Sequence, residues 1–458
     1  MFKNIVNTFV NCFKIPELKS RIFFTLIVLG ICRLVSMLPL PGLDGQALQA
    51  FFDEIAKKDG GGLLGMYSMF TGGALERCGI GSLGIMPYIS ATIIVQLLSA
   101  VLPQLSKLAR EEGGRAKIIQ YGRYLTVILC LGQGFVMAIA WENPEKIFQG
   151  FVGNLVQEPG LSYRLQTTLL LTTGTLLMMW LGEQISERGI GNGVSLIITV
   201  GILARVPQTV QALWEMFVTP EGIQAKFNLF HGVALVLLLL AVVAGVIAVT
   251  QAQRKIPVQY AQRTVGRKMV QGGSSFMPLK VNYAGVMPVI FAQAILMFPE
   301  KILYFLGKSL NLKFFNDLAY QIGTGQPLYL VLYGVMILFF SYFWVATQFN
   351  ELQIADDMKK SGGYIPGVRP GQATSDFLHR TMSRITLAGA IFLTIIAVIP
   401  IMLGTAMGIN PIVSQFFGGT SMLIMVGVML DTMRQMESHL LMRHYDGFLK
   451  KGRIKGRF

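Results

Sequence analysis

Cysteine and histidine are the residue types here best suited to metal ligation or nucleophilic catalysis, and the 458-residue chain has four of each. Cys12, Cys32, Cys78 and Cys130 are far apart and no CxxC occurs, so neither a zinc site nor a disulfide framework is expected. His231, His379, His439 and His444 are equally scattered. The run Gly189-Ile190-Gly191-Asn192-Gly193 could suggest a phosphate cradle, but no strand precedes it and an apolar stretch follows. A tight turn is the expectation there. Walker A, HExxH and nucleophile-elbow signatures are missing from the sequence. No catalytic residue, metal or cofactor is therefore expected, and an energy-using process would need an external motor.

Three charges fall inside apolar stretches: Arg33, Arg205 and Asp431. A transporter of ions or polar solutes needs such groups at the membrane midplane. Here they sit toward the ends of their stretches, where they can snorkel or pair structurally. The central positions are instead aliphatic: Ile85, Ile89, Ile198, Ile202, Ile290 and Ile424. Lipid contact or packing explains any one of them. An apolar constriction that stays dry to ions also fits.

The elements that must position these residues follow from composition. The chain is 53% hydrophobic and 14% charged, against roughly 25% charged in an ordinary soluble protein. That argues against a water-soluble enzyme and against disorder. A bilayer core of about 30 Å needs roughly 20 apolar residues per helix. Ten stretches qualify: 22–40, 83–102, 124–141, 165–182, 194–213, 229–250, 284–299, 327–347, 385–404 and 414–433. The first lacks a small-residue cleavage site and ends in the turn sequence Leu38-Pro39-Leu40-Pro41-Gly42, so it is not expected to be a cleaved signal peptide.

Charge orients the spans. The segments sharing a side with the termini carry 28 Lys and Arg against 11 Asp and Glu; the opposite segments carry 10 against 12. The net charges are +17 and −2, so almost all of the chain's +15 is one-sided. Both termini are expected on the cytoplasmic side. Segments 1–21 and 434–458 are then cytoplasmic ends, the latter a basic tail. Two cytoplasmic loops are long, 251–283 and 350–384, and loops of that length are usually functional or disordered. The first alternates polar and apolar residues around Ile256-Pro257-Val258-Gln259-Tyr260, which suits a short hairpin; a solvated basic loop that only sets topology is the other reading.

The second and seventh stretches repeat a pattern. Gly84-Ile85-Met86-Pro87-Tyr88-Ile89-Ser90-Ala91 corresponds to Gly285-Val286-Met287-Pro288-Val289-Ile290-Phe291-Ala292. This sets spans one to five (22–228) against spans six to ten (229–433). Five is odd, so the halves are inverted relative to each other, an arrangement of transporters and pores. Residues 63–82 are too broken by glycine and by Glu76 and Arg77 to span, and too apolar for a free outer loop. A re-entrant segment in a pore mouth accounts for them; a surface helix outside the membrane is the other reading.

Motifs along nearly the whole chain now resemble the SecY family, the pore-forming subunits of the bacterial Sec translocase. They are Leu38-Pro39-Leu40-Pro41-Gly42, Phe70-Thr71-Gly72-Gly73-Ala74-Leu75, Gly84 to Ala91 as above, Glu187-Arg188-Gly189-Ile190-Gly191-Asn192-Gly193, Pro278-Leu279-Lys280-Val281-Asn282, Pro366-Gly367-Val368-Arg369-Pro370-Gly371 and Gly418-Gly419-Thr420-Ser421. The resemblance implies an all-α polytopic membrane protein, ten transmembrane helices in two inverted five-helix halves with a re-entrant plug. It implies an isoleucine pore ring at Ile85, Ile89, Ile198, Ile202, Ile290 and Ile424, with Met422 near it. The plug is implied at Met69, Phe70, Thr71, Gly72, Gly73, Ala74 and Leu75. A lateral gate is implied between the second and seventh helices, marked by Ile94 and Ile295, and contacts to ribosome or motor at Arg267, Lys268 and Arg369. The implied partners are SecE-like and SecG-like small subunits, the SecA motor ATPase, the ribosome, signal peptides and nascent chains, membrane lipid, and accessory translocon and insertase proteins.

The reading is a non-enzymatic protein-conducting channel of the bacterial inner membrane. It moves signal-bearing chains outward and releases membrane helices sideways. A secondary transporter with five-plus-five inverted repeats would need polar midplane ligands, which are sparse. An integral-membrane enzyme would need clustered His, Glu or Cys, which the sequence lacks.

Overall fold

The computed structural model describes residues 15–58, 68, 70–111, 113–144, 151, 153–217, 229–260, 263–265, 268–270, 273–310, 312–323, 326–406, 413, 416 and 420–451. The chain divides into two compact units. One comprises residues 1–226, 410–413 and 424–458; the other comprises 227–409 and 414–423.

In the first unit, α1 (Pro16–Met37) opens with a proline in its first turn and stops at Leu38, whose extended backbone is what a residue before proline prefers. The helix α2 (Gly45–Lys58) follows. Non-helical residues 71–85 then lead to α3 (Met86–Val101), which ends where Leu102 meets Pro103, and to short α4 (Pro103–Arg110). Next come α5 (Gly114–Glu142) and α6 (Leu161–Arg188). The fifth stretch is two helices, α7 (Gly193–Leu203) and α8 (Val206–Phe217), separated at Ala204 and Arg205 just before Pro207.

The second unit begins with α9 (Leu229–Gln251). The loop 251–283 folds into β1 (Gln253–Tyr260), β2 (Arg263–Val265), β3 (Lys268–Val270) and β4 (Ser274–Lys280). The helices α10 (Met287–Leu310), α11 (Lys313–Gln321) and α12 (Pro327–Gln348) follow. The second long loop is ordered too. It forms α13 (Glu351–Ser361), β5 (Gly363–Tyr364) and the first turns of α14 (Gln372–Ala406). The last helix, α15 (Thr420–Lys451), packs Met436 and Leu440 against Leu18 and Ile190 of the first unit's own core.

Each of the ten apolar stretches overlaps a described helix. Seven described helical segments are long and apolar enough to cross a membrane, and α3 and α10 carry the further apolar segments Met86–Ser99 and Met287–Leu296. Both begin at the same local signal. Gly84 and Gly285 both take positive φ (57° and 64°), and helix begins two residues later, at Met86 and Met287. The repeat in sequence is thus a repeat in backbone conformation: a left-handed glycine, then a helix whose second residue is proline. Outward faces are apolar as well. Val233, Val236, Leu237 and Leu240 of α9 are each more than half exposed, which suits lipid rather than water.

The small sheet has the order β4-β1-β5. Antiparallel pairing runs from Gln253 opposite Lys280 to Gln259 opposite Ser274, and β5 joins only at Gln259 and Tyr260. Pro257 therefore sits on a stretch of β1 that β5 does not reach, where no ladder bond is lost. The hairpin expected around Ile256–Tyr260 is the β1–β4 pair; β2 and β3 pair between those strands, and the strand from the second loop is additional. Ile256, Leu279, Val345, Phe349, Ile365, Leu378, Met382 and Ile385 bury together beneath the sheet, so the two long loops are one packed body with its own core.

Candidate functional site

Residues 71–85 form a chain of turns. Gly72, Gly73 and Gly84 take positive φ, and so does Cys78, at 47°. Its bends are closed from within: Gly73 N–H donates to Ser68 (2.8 Å), Gly79 to Ala74 (2.9 Å) and Gly84 to Gly81 (2.8 Å). The Ser82 hydroxyl donates to the Gly79 and Ala74 carbonyls at 2.6 and 3.0 Å. At its C-terminal end the segment pairs with the chain leaving α1, where Leu40 N–H donates to Cys78 at 2.9 Å and Ile80 N–H to Leu38 at 2.8 Å. Non-helical backbone at membrane depth requires this kind of satisfaction. Ala74, Leu75, Cys78, Ser82 and Leu83 are essentially without exposure, so the segment is packed into protein and is not a surface helix.

Two arginines reach it from the spans. Both terminal nitrogens of Arg33 on α1 donate to the Gly72 carbonyl at 3.1 Å. Arg205, in the break between α7 and α8, donates to the Glu76 carboxylate and to the Ser68 hydroxyl. Ser68 in turn donates to Glu76 at 2.8 Å. Of the two sequence readings for these arginines, pairing is the one realised. A Cβ on Gly72 would collide with Arg33 and stand 3.1 Å from Gly201 Cα, so only glycine allows this approach.

The isoleucines are all buried. Ile85 caps α3 and Ile89 follows four residues on; Ile198 and Ile202 share a face of α7 at the same spacing; Ile424 is on α15. These five belong to the first unit, and Ile290, on α10, belongs to the second. Exposures run from 0 to 4%, so none is a lipid-facing residue. Met422 is half-buried. Ile94 on α3 is 38% exposed and Ile295 on α10 is half-buried. Met69 and Arg267 lie outside the described residues. Lys268 lies in β3, and Arg369 is exposed on the turn between β5 and α14. That turn is shaped by Gly367 and Gly371 at positive φ and by the Thr374 hydroxyl donating to the Arg369 carbonyl at 2.9 Å.

The glycine-rich run is a structural junction. Ile190 N–H donates to the Thr25 hydroxyl at 3.1 Å, Gly191 N–H to Gln435 Oε1 at 2.7 Å, and Gly193 N–H to the Ser186 hydroxyl at 2.9 Å. Asn192 caps α7 through Ser195 N–H at 3.2 Å. The amides a phosphate would need are already bonded within the protein, and the turn ties α1, α6, α7 and α15 together. Among the described residues, no group of three His, Cys, Asp or Glu side chains could hold a metal ion.

The fold and this site define a polytopic α-helical membrane protein with the fold of protein-conducting channels. A solved structure described as "The structure of a protein conducting channel" superposes with TM-score 0.60 at 20% identity, covering 95% of this chain and 94% of that one. "Sec61 in the Canine ribosome-channel complex from the endoplasmic reticulum" superposes with TM-score 0.55 at 18% identity and the same coverage. The SecY family model matches residues 79–433. Relatives named "Protein translocase subunit SecY" include one from Chlamydia muridarum, 42% identical over 453 residues (97% of this chain, 98% of the relative). Another, from Thermotoga maritima, is 41% identical over 453 residues (98% and 99%). The chain belongs to the SecY family.

Proposed function

We propose that this chain is the pore of a protein translocase, moving signal-bearing polypeptides across the cytoplasmic membrane and releasing transmembrane helices sideways into lipid. The observation that carries the reading is the buried segment 71–85, folded in turns and held by side chains of the apolar helices, on a chain that belongs to the SecY family. Segment 69–75 and the turns after it are the plug. Ile85, Ile89, Ile198, Ile202, Ile290 and Ile424 are the ring that seals the pore by dewetting. A polypeptide in transit has no fixed sequence, so an aliphatic ring that closes on any chain serves better than a polar site. The gate to lipid lies along the second and seventh spans, with Ile94 and Ile295 on it.

The membrane is the bacterial inner membrane, with both termini cytoplasmic. The basic face there attracts anionic ribosomal RNA. The sheet body formed by 251–283 and 350–384 is the dock for ribosome and SecA motor, with Arg267, Lys268 and Arg369 as contacts; Arg369 is exposed on a glycine-shaped turn. SecE-like and SecG-like subunits complete the channel. The chain itself is non-enzymatic, and the energy comes from its partners. The test is reconstitution of the purified complex in vesicles with the motor and ATP. Uptake of a signal-bearing precursor, with none of the same precursor lacking its signal, is expected; equal uptake of both, or of neither, would overturn the reading.

A further inference from the structure

Arg205 lies 129 residues from Glu76 in the chain, at the one interruption of the fifth span, and its guanidinium binds the Glu76 carboxylate and the Ser68 hydroxyl together. The side chains of Arg205 and Glu76 are only 11% and 8% exposed. We propose that Arg205 and Glu76 are a buried charge latch that keeps the plug seated, with Arg33 as a second fastening onto its backbone. The inference rests on reading residues 70–85 as the plug, and it assigns what holds that plug down.

The segment is fastened differently at its two ends. Its C-terminal end is joined covalently to α3 and by backbone bonds to Leu38 and Leu40. Toward its N-terminal end, among the described residues, the side-chain hydrogen bonds from the spans to Ser68–Glu76 come from the two arginines. The two fastenings differ in kind. Arg33 donates to a carbonyl, which any plug sequence would supply. Arg205 needs an acid on the plug, and Glu76 supplies it.

The pair acts through the asymmetry of buried charges. Seated, each charge is shielded from water and neutralised by the other. Displaced, both groups can be hydrated. Neutralising one partner leaves the other charge buried and unpaired only in the seated state, so the seated state is strongly disfavoured. Neutralising both removes that penalty, and exchanging the two charges restores the attraction. A latch therefore predicts strong non-additivity between the two positions. Displacement is also all-or-none in this scheme, because Ser68 and Glu76 share one guanidinium and leave it together.

The experiment records resting ion current of the full chain with its small partner subunits in planar bilayers. Deletion of residues 70–76 is the reference, and membrane abundance and melting temperature are measured for every variant. Glu76→Gln or Arg205→Gln alone should raise the frequency of resting openings about tenfold or more. Glu76→Gln with Arg205→Gln, and the exchange of Glu76→Arg with Arg205→Glu, should return to within about threefold of the parent. Single variants that stay silent while the deletion leaks would overturn the latch and leave the plug standing. A silent deletion would overturn the plug reading itself. Double variants that leak as the product of the singles would also overturn the pair. If a neutral single variant fails to accumulate, Arg205→Lys, which keeps the charge but loses the longer, planar guanidinium whose one terminal nitrogen reaches both partners, should raise openings about threefold; a silent Arg205→Lys overturns the latch.

Discussion

Ile89→Asn is the most direct perturbation of the proposed seal. Ile89 is 4% exposed on the second span, one turn beyond Ile85. Truncating a buried isoleucine to alanine costs about 2–5 kcal/mol through lost burial and the cavity left behind. An asparagine fills part of that space but adds an amide whose unpaired burial costs about 1–3 kcal/mol. At least about 3 kcal/mol is therefore set against the dry, closed state, while a wetted pore hydrates the amide. A shift of that size is on the order of a hundredfold in the closed-to-open ratio. Single-channel recording without substrate should show frequent openings where the parent is quiet, and Ile290→Asn should do the same. The control is Leu171→Asn, equally buried at 0% exposure on the fourth span but outside the ring. It should lower the melting temperature in detergent without raising current. The seal assignment is refuted if Ile89→Asn and Ile290→Asn leave the resting current unchanged, or if Leu171→Asn leaks as much as they do.

Arg369→Glu should slow motor-dependent export in vesicles severalfold with normal membrane abundance, because the residue is exposed and its loss removes no packing; unchanged export kinetics would contradict its role as a contact. Thr25→Val removes the acceptor for the buried Ile190 N–H. That should cost about 1–3 kcal/mol and lower the melting temperature, while Thr25→Ser should not; equal melting of the two would show the bond to be unimportant. Ile365→Ala opens a cavity in the core beneath the sheet and should cost that body about 2–5 kcal/mol. Limited proteolysis should then cut within 251–283 and 350–384 before the spans; an unchanged digestion pattern would argue against a shared core.

Much of the architecture is legible in the linear chain because the bilayer imposes a length and a polarity on each span. Ten apolar stretches, the charge imbalance across them and the Gly-x-Met-Pro repeat are properties of neighbouring residues, and the helices fall where these signals place them. The long loop 350–384 is different. Its helix and strand are held by a core drawn from both loops and two spans, and no local pattern in a mixed polar segment announces such a partner.

The sequence by itself determined the class of protein, the apolar stretches that become its spans, and that Arg33 and Arg205 would have to snorkel or pair, since a charge in an apolar stretch cannot stay bare. Only the tertiary structure decided who those partners are. Arg33 finds a carbonyl 39 residues away, Arg205 a carboxylate 129 residues away, and Gly191 a glutamine 244 residues away. Hydrogen bonds act over about 3 Å, so which groups meet is set by how the helices pack, and helix packing depends on surfaces assembled from residues scattered along the chain. In such a chain the presence of a charge to be satisfied is a local fact, and the partner that satisfies it is a tertiary one.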